Sequence, residues 1–337
     1  MKRSLLVLAL LAALFLVAAP AYAAGTPHVI ATLPYGDFGS FAESMAPDGC
    51  GGLCASLTVW GNLDPIIDNV GQIWRIRPSG GTSLVTSQAI TPFGMLTGIA
   101  RDRVGCLYVA DVDFSGETGS VIYRVARNGT WTQIAQLEPG TFPNGLALRN
   151  GDLYVSDSAF GAIWRIRLGC GLATRATSWI QSDLLAPADP ATGLGINGIA
   201  FRGGSLFGVV SDSGRVVRIP LCGNGAAGTP RVVCESSALL TADGIAFDAL
   251  GRLWVTTNEG PTADEASGAL FRVSPAGCVR QVPVDPAFLD YPTQPVFGTT
   301  LGTCTTLFVL NGAFSADQAP FVTAIKVGVL GQPLPLP

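Results

Sequence analysis

ADGIAFDALGRLWV, Ala242–Val255, sets the fold because the chain says it again and again. FPNGLALRNGDLYV (Phe142–Val155), GINGIAFRGGSLFGV (Gly195–Val209) and MLTGIARDRVGCLYV (Met95–Val109) are its clear echoes. FAESMAPDGCGGL from Phe41 and VFGTTLGTCTTLFV from Val296 are weaker copies. Each unit reads as one polar residue, a short apolar strand, a turn with Asp or Gly, and a second apolar strand. A tail follows most units: GQIWRI from Gly71, SVIYRV from Ser120, GAIWRI from Gly161, GRVVRI from Gly214 and GALFRV from Gly268. Aligned on the first polar position, the copies start at Glu43, Thr97, Asn144, Asn197, Asp243 and Phe297. A period of about fifty residues, with four short strands per unit, predicts an all-β, six-bladed β-propeller.

The N-terminus is a processing segment. Lys2 and Arg3 precede the apolar run Leu5–Val17, and Ala21-Tyr22-Ala23 is a small-x-small cleavage site. An uncleaved anchor is the alternative, with an apolar run somewhat short for a span. Residues 1–23 are therefore expected to be a signal peptide, 24–330 the propeller and 331–337 a Pro-rich tail, in a secreted or extracytoplasmic protein. A strand at Val29–Leu33 precedes the first repeat, while no further strand is expected after the last at Thr323–Val327. The N-terminal strand is expected to complete the final blade and close the ring.

The formal net charge is −4, and loss of Lys2 and Arg3 makes the chain more acidic. Scattered arginines without a basic run argue against nucleic acid or an anionic membrane as a partner. Eight cysteines in an exported chain read as disulfides at the edge opposite the polar starts. Cys222 with Cys234, across GNGAAG, is the first pairing and Cys278 with Cys304 the second. Cys50, Cys54, Cys106 and Cys170 remain unassigned, with Cys50–Cys54 as the local option. In the tails, alternation places aromatics such as Trp74 and Trp164 between sheets and the following arginines, Arg75 and Arg165, on the other face. Asp111, Asp157 and Asn311 end second strands and read as turn caps near the mouth, within reach of a substrate. Trp60, Phe93 and Phe142 mark an apolar rim.

In a propeller the first strand of each blade lines the central channel, so the six starting residues form one ring. Four of them, Glu43, Asn144, Asn197 and Asp243, carry hard oxygen donors, and two of these are carboxylates. That set suits Ca²⁺ better than a softer metal. Asn-Gly and Asp-Gly are also strong turn signals. A turn leaves Glu43 unexplained, since it shares the register without a following glycine.

The blade pattern and the Glu, Asn, Asn, Asp series resemble the senescence marker protein (regucalcin)/gluconolactonase family, with diisopropylfluorophosphatase and the paraoxonases as relatives. The resemblance spans nearly the whole mature chain. It implies a catalytic Ca²⁺ on the axis held by Glu43, Asn144, Asn197 and Asp243, and hydrolysis of lactones or, in some members, organophosphates; the chain is expected to be a calcium-dependent hydrolase of lactones or esters. Asn144 is implied to contact substrate as well as metal. The arginine that precedes this position in the gluconolactonase branch is replaced by Phe142-Pro143, a departure that bears on a sugar-lactone substrate. Thr97, on the same ring, is a second candidate substrate contact. Asp243 is the candidate base or nucleophile. The lone histidine, His28, falls in the closing strand, which argues against a Ser-His-Asp triad or a histidine zinc site. The alternative is a non-catalytic, NHL-like propeller that binds a ligand or protein on its open face.

Overall fold

The computed structural model describes residues 25–61, 69–91, 93–169, 175–260, 267–313 and 318–333. The expected leader, Cys170 and the last four residues lie outside these. β1 (His28–Thr32) comes first. Blade 1 is β2 (Ser40–Pro47), β3 (Leu53–Val59), β4 (Val70–Ile76) and β5 (Thr82–Ala89). Blade 2 is β6 (Gly94–Arg101), β7 (Leu107–Asp113), β8 (Val121–Val125) and β9 (Trp131–Gln136). Blade 3 is β10 (Pro143–Arg149), β11 (Asp152–Asp157), β12 (Ala162–Arg167) and β13 (Thr177–Gln181). Blade 4 is β14 (Ile196–Arg202), β15 (Ser205–Val210), β16 (Arg215–Pro220) and β17 (Arg231–Glu235). Blade 5 is β18 (Ala242–Phe247), β19 (Leu253–Thr257), β20 (Ala269–Val273) and β21 (Val279–Gln281). Blade 6 is β22 (Pro292–Phe297), β23 (Thr306–Asn311) and β24 (Phe321–Lys326), with β1 as its outer strand.

All six sheets are four-stranded and antiparallel; five are meanders of consecutive strands, and in the sixth β1 pairs with β24 through His28–Ala324 and Thr32–Phe321. Alternation along each strand sends apolar side chains to both faces, because each blade is covered by a neighbour on either side. The core is accordingly distributed between blades. Ala42, Met45 and Leu57 of blade 1 pack with Leu310 and Val322 of blade 6, and Ile73 packs with Leu96 and Val109 across the next interface.

The inner strands β2, β6, β10, β14, β18 and β22 contact one another in a closed circle about the axis. Gly98, Gly145, Gly198 and Gly244 lie inside these strands, not in turns. A β-carbon on them would sit 2.1, 2.7, 2.3 and 2.3 Å from the backbone oxygens of Asn144, Asn197, Asp243 and Thr293 on the next inner strand. The glycine of each Asn-Gly or Asp-Gly pair is therefore there for close approach of neighbouring backbones, where no side chain fits.

Two expectations are corrected here. The sixth ring position is Thr293, not Phe297. β22 pairs Pro292 with Asn311 as β18 pairs Ala242 with Thr257, so Thr293 stands where Asp243 stands. Phe297 instead packs edge-on against Trp254 at the opposite end of its strand. The second correction concerns the cysteines: no disulfide joins the seven described ones. Cys234 pairs with Val216 near the start of β16, while Cys222 follows the end of that strand. The two therefore sit at opposite ends of one hairpin, well beyond disulfide reach. The turn holding Cys278 packs instead against β17, with Gly277 beside Cys234 across the interface between blades 4 and 5.

Candidate metal centre on the propeller axis

Each inner strand breaks register at its ring position. The shifts fall between Ala42 and Met45, Leu96 and Ile99, Pro143 and Leu146, Ile196 and Ile199, Ala242 and Ile245, and Pro292 and Gln294. A β-bulge re-aims a side chain out of the pleat. Repeated six times, it places Glu43, Thr97, Asn144, Asn197, Asp243 and Thr293 at one height, all buried or nearly so.

These six divide into two kinds. Thr97 donates its hydroxyl to the Pro143 carbonyl at 2.7 Å, and the Thr293 hydroxyl lies 3.4 Å from the Ala42 and Leu310 carbonyls. Both are shut off from solvent and act as ties between neighbouring strands. Thr97 therefore gains no support as a substrate contact.

The orientation of the two asparagines is fixed by bookkeeping of protons. Ser158 Oγ donates its one hydrogen to the Ile196 carbonyl at 2.8 Å and so accepts from Asn144 Nδ2 at 3.3 Å. Ser211 Oγ donates to the Ala242 carbonyl at 2.6 Å and accepts from Asn197 Nδ2 at 3.1 Å. Each amide NH₂ meets the hydroxyl of a serine just past the second strand, which turns its Oδ1 away from that serine. Asn197 Oδ1 is buried with no hydrogen-bond partner. A buried carbonyl oxygen without a partner is costly unless something positive meets it.

The carboxylates have the same need. Burial pushes the Glu43 carboxyl well above the usual range, and the neighbouring Asp243 charge pushes the same way. Burial also raises Asp243, against hydrogen bonds from Asn258 and Asn197 that lower it. Asn258 Nδ2 donates to Asp243 Oδ2 at 2.8 Å. Sequence reasoning missed Ser158, Ser211 and Asn258, which follow the second strands of blades 3, 4 and 5. Their signal was a polar residue just past each second strand, in the three blades whose ring residue is Asn, Asn or Asp. Among the described residues no three His, Cys, Asp or Glu cluster as metal ligands. The axial set instead mixes two carboxylates with two amides, a hard-oxygen set suited to Ca²⁺.

Asp111, Asp157 and Asn311 are fully buried caps. Asp157 accepts from the backbone of Phe142, Ala159 and Phe160 and from Trp164 Nε1. Asp111 accepts from Thr91 N and Oγ1, and Asn311 Oδ1 accepts from Asp290 N. The expectation that they could reach substrate is corrected by this burial. Around the mouth, Phe93 is half exposed, and Phe114 stands edge-on to Phe142 with ring centroids 5.6 Å apart. His28 lies on β1, the outermost strand, remote from the axis.

Fold and ring together define a six-bladed propeller with an oxygen-donor set at its centre. No family model and no curated protein matches the sequence. Among solved structures, the chain is similar to regucalcin from Agrobacterium tumefaciens, a calcium-binding protein. The identity is 18% over 93% of this chain and 97% of that one, with a TM-score of 0.62. It is also similar to a gluconolactonase from Xanthomonas campestris, at 15% identity over 89% of each chain and a TM-score of 0.56. Virginiamycin B lyase from Staphylococcus aureus, captured with quinupristin, aligns over 89% of this chain and 99% of its own at 14% identity and a TM-score of 0.53. Proteins of differing activity thus share this architecture, and the likeness establishes the fold.

Proposed function

We propose that this protein is an exported, calcium-dependent hydrolase of lactones or esters. The observation that carries the reading is the orphaned Asn197 Oδ1 on the same ring as two buried carboxylates that repel each other. Glu43, Asn144, Asn197 and Asp243 would hold the ion, with Ser158, Ser211 and Asn258 orienting three of the four. When bound, Ca²⁺ supplies Lewis-acid polarisation of an acyl carbonyl and stabilises the charge that develops on its oxygen. The chain's own contribution centres on Asp243. Asn258 Nδ2 pins Oδ2, which orients this carboxylate to take a proton from water or to attack the acyl carbon. Burial raises this carboxyl in the metal-free chain, and a bound cation would draw it back toward the ionised form that a base or nucleophile needs. The regucalcin and gluconolactonase neighbours, one named for calcium binding and the other for lactone hydrolysis, support this reading.

A pH-stat assay on a panel of neutral lactones and esters tests it, run with calcium, with chelator, and with calcium restored. Acid release that disappears and returns is the expected result. Release indifferent to chelator removes the metal from the mechanism, and no release on any substrate favours a binding propeller.

A further inference from the structure

Charge is sorted by height in this molecule. Inner strands run away from the ring, so the ends of first and third strands, the starts of second and fourth strands, and the turns between them lie on the face opposite the ring. Every lysine and arginine beyond Arg3 except Arg215 lies toward that far face. Only four described carboxylates share it: Asp48, Asp102, Asp152 and Asp248. Asp48, Asp152 and Asp248 are engaged by Arg75, by Arg165 and Arg167, and by Arg252. All remaining described carboxylates belong to the ring end, where Arg215 is itself paired with Glu235.

Side-chain type is sorted as well. Exposed aromatics, among them Phe38, Phe93, Phe114 and Phe160, sit at the ring end. The far face instead presents aliphatic tips: Val104, Leu250 and Leu301 on turns between first and second strands, with Leu301 fully exposed. Leu330 joins Leu250, because the Ala249 amide donates to the Leu330 carbonyl. The far-face aromatics Phe201, Phe207, Phe247 and Trp254 lie under arginines, with Arg149 centred 5.1 Å from the Phe201 ring. They offer no open stacking platform, which single-stranded nucleic acid needs. Aliphatic tips set among exposed cations fit a bilayer interface, where alkyl side chains enter the acyl boundary and arginines meet phosphate.

We propose that the far face docks on an anionic phospholipid surface and holds the ring mouth toward solvent. The acidic ring end reinforces this orientation, since the same surface repels it. Docking is independent of catalysis, because no ring residue takes part.

The test is co-sedimentation of the chain from Ala24 onward, which keeps all six blades and the closing strand. Vesicles are phosphatidylcholine alone or phosphatidylcholine with a third phosphatidylglycerol. Partition onto the anionic vesicles alone, weakened by salt, is expected. Arg77, Arg127 and Arg280 are exposed residues of blades 1, 2 and 5. Each neutralisation to Gln should cost about fivefold, so the triple variant should lose about a hundredfold in partition with its melting temperature kept. Leu250→Ser with Leu301→Ser should weaken partition while leaving its salt dependence intact. Equal partition onto both vesicle types overturns the proposal, as does a triple variant that binds like the parent. Retention on a mixed-sequence single-stranded oligonucleotide with none on vesicles also overturns it and assigns the face to nucleic acid.

Discussion

Asn144 and Asn197 show how a single hydroxyl decides what an amide can do. Ser158 and Ser211 each give their only proton to a backbone carbonyl of the next blade, so the asparagine beside them presents NH₂ to the serine and turns its oxygen away. The four candidate ligands were legible in the sequence because a repeat gives each the same register. Their supports were not, since a serine after a strand is commonplace until its partner is known. Asp111 carries a further consequence at this scale. Burial lifts its carboxyl to about 6, against two hydrogen bonds from Thr91. Below about pH 4 the group is protonated in folded and unfolded chains alike. Between there and about 6 the unfolded chain ionises first, so the folded state loses stability as pH rises through this window. Asp111→Asn removes this group's share and leaves that of Glu43, Asp157 and Asp243, which burial raises as well. Melting temperatures measured from pH 4 to pH 7 should fall for the parent, by an equivalent on the order of 2 kcal/mol, and stay flatter for the variant. Parallel profiles would assign the pH dependence to other groups.

The inner strand is the element on which fold and site both depend. Its bulge aims the ring residue at the axis, and the glycine that follows lets the neighbouring backbone approach. An Asn-Gly read alone says hairpin turn. Here the same dipeptide lies within a strand, because tertiary closeness rather than local dihedral freedom demands the glycine. Gly198→Ala would set a β-carbon 2.3 Å from the Asp243 carbonyl oxygen and 2.9 Å from Gly244 Cα. Both contacts are backbone, so strands have to part. A loss of about 1–3 kcal/mol in urea unfolding is expected, together with weaker metal binding as Asp243 shifts. Gly204→Ala, with open space around it, should be near neutral. Equal effects would mean that the inner strands give way easily. The misplacement of blade 6 belongs to this scale too. VFGTTLG imitates the start of a repeat, whereas Thr293 and Gln294 occupy the bulge without the Asn-Gly or Asp-Gly that marks it elsewhere.

For the whole molecule, the repeat that was legible as a propeller also carried a message that net charge concealed. The arginines of these tails give one arginine to each of five blades at one height, Arg75, Arg124, Arg165 and Arg272 with Arg218 in the GRVVRI tail, and β24 of the sixth ends on Lys326. Scattered in sequence, they gather on one face once the ring closes, while their carboxylate counterparts collect on the other. The cysteines failed in the reverse direction. Spacing across one hairpin pointed to Cys222 and Cys234, but contact in a propeller runs between blades, where Cys234 meets the Cys278 turn. The axis is the one place where all six blades meet, and the divalent cation proposed for it would sit there. The most direct measurement is calorimetric titration of calcium into chelator-treated protein, beside Asp243→Asn and Ser211→Ala. One calcium per chain is expected, lost or nearly so in Asp243→Asn. Ser211→Ala, which frees the Asn197 amide, should weaken it about 10- to 100-fold. Absence of binding to the parent, or unchanged binding to Asp243→Asn, would contradict the account.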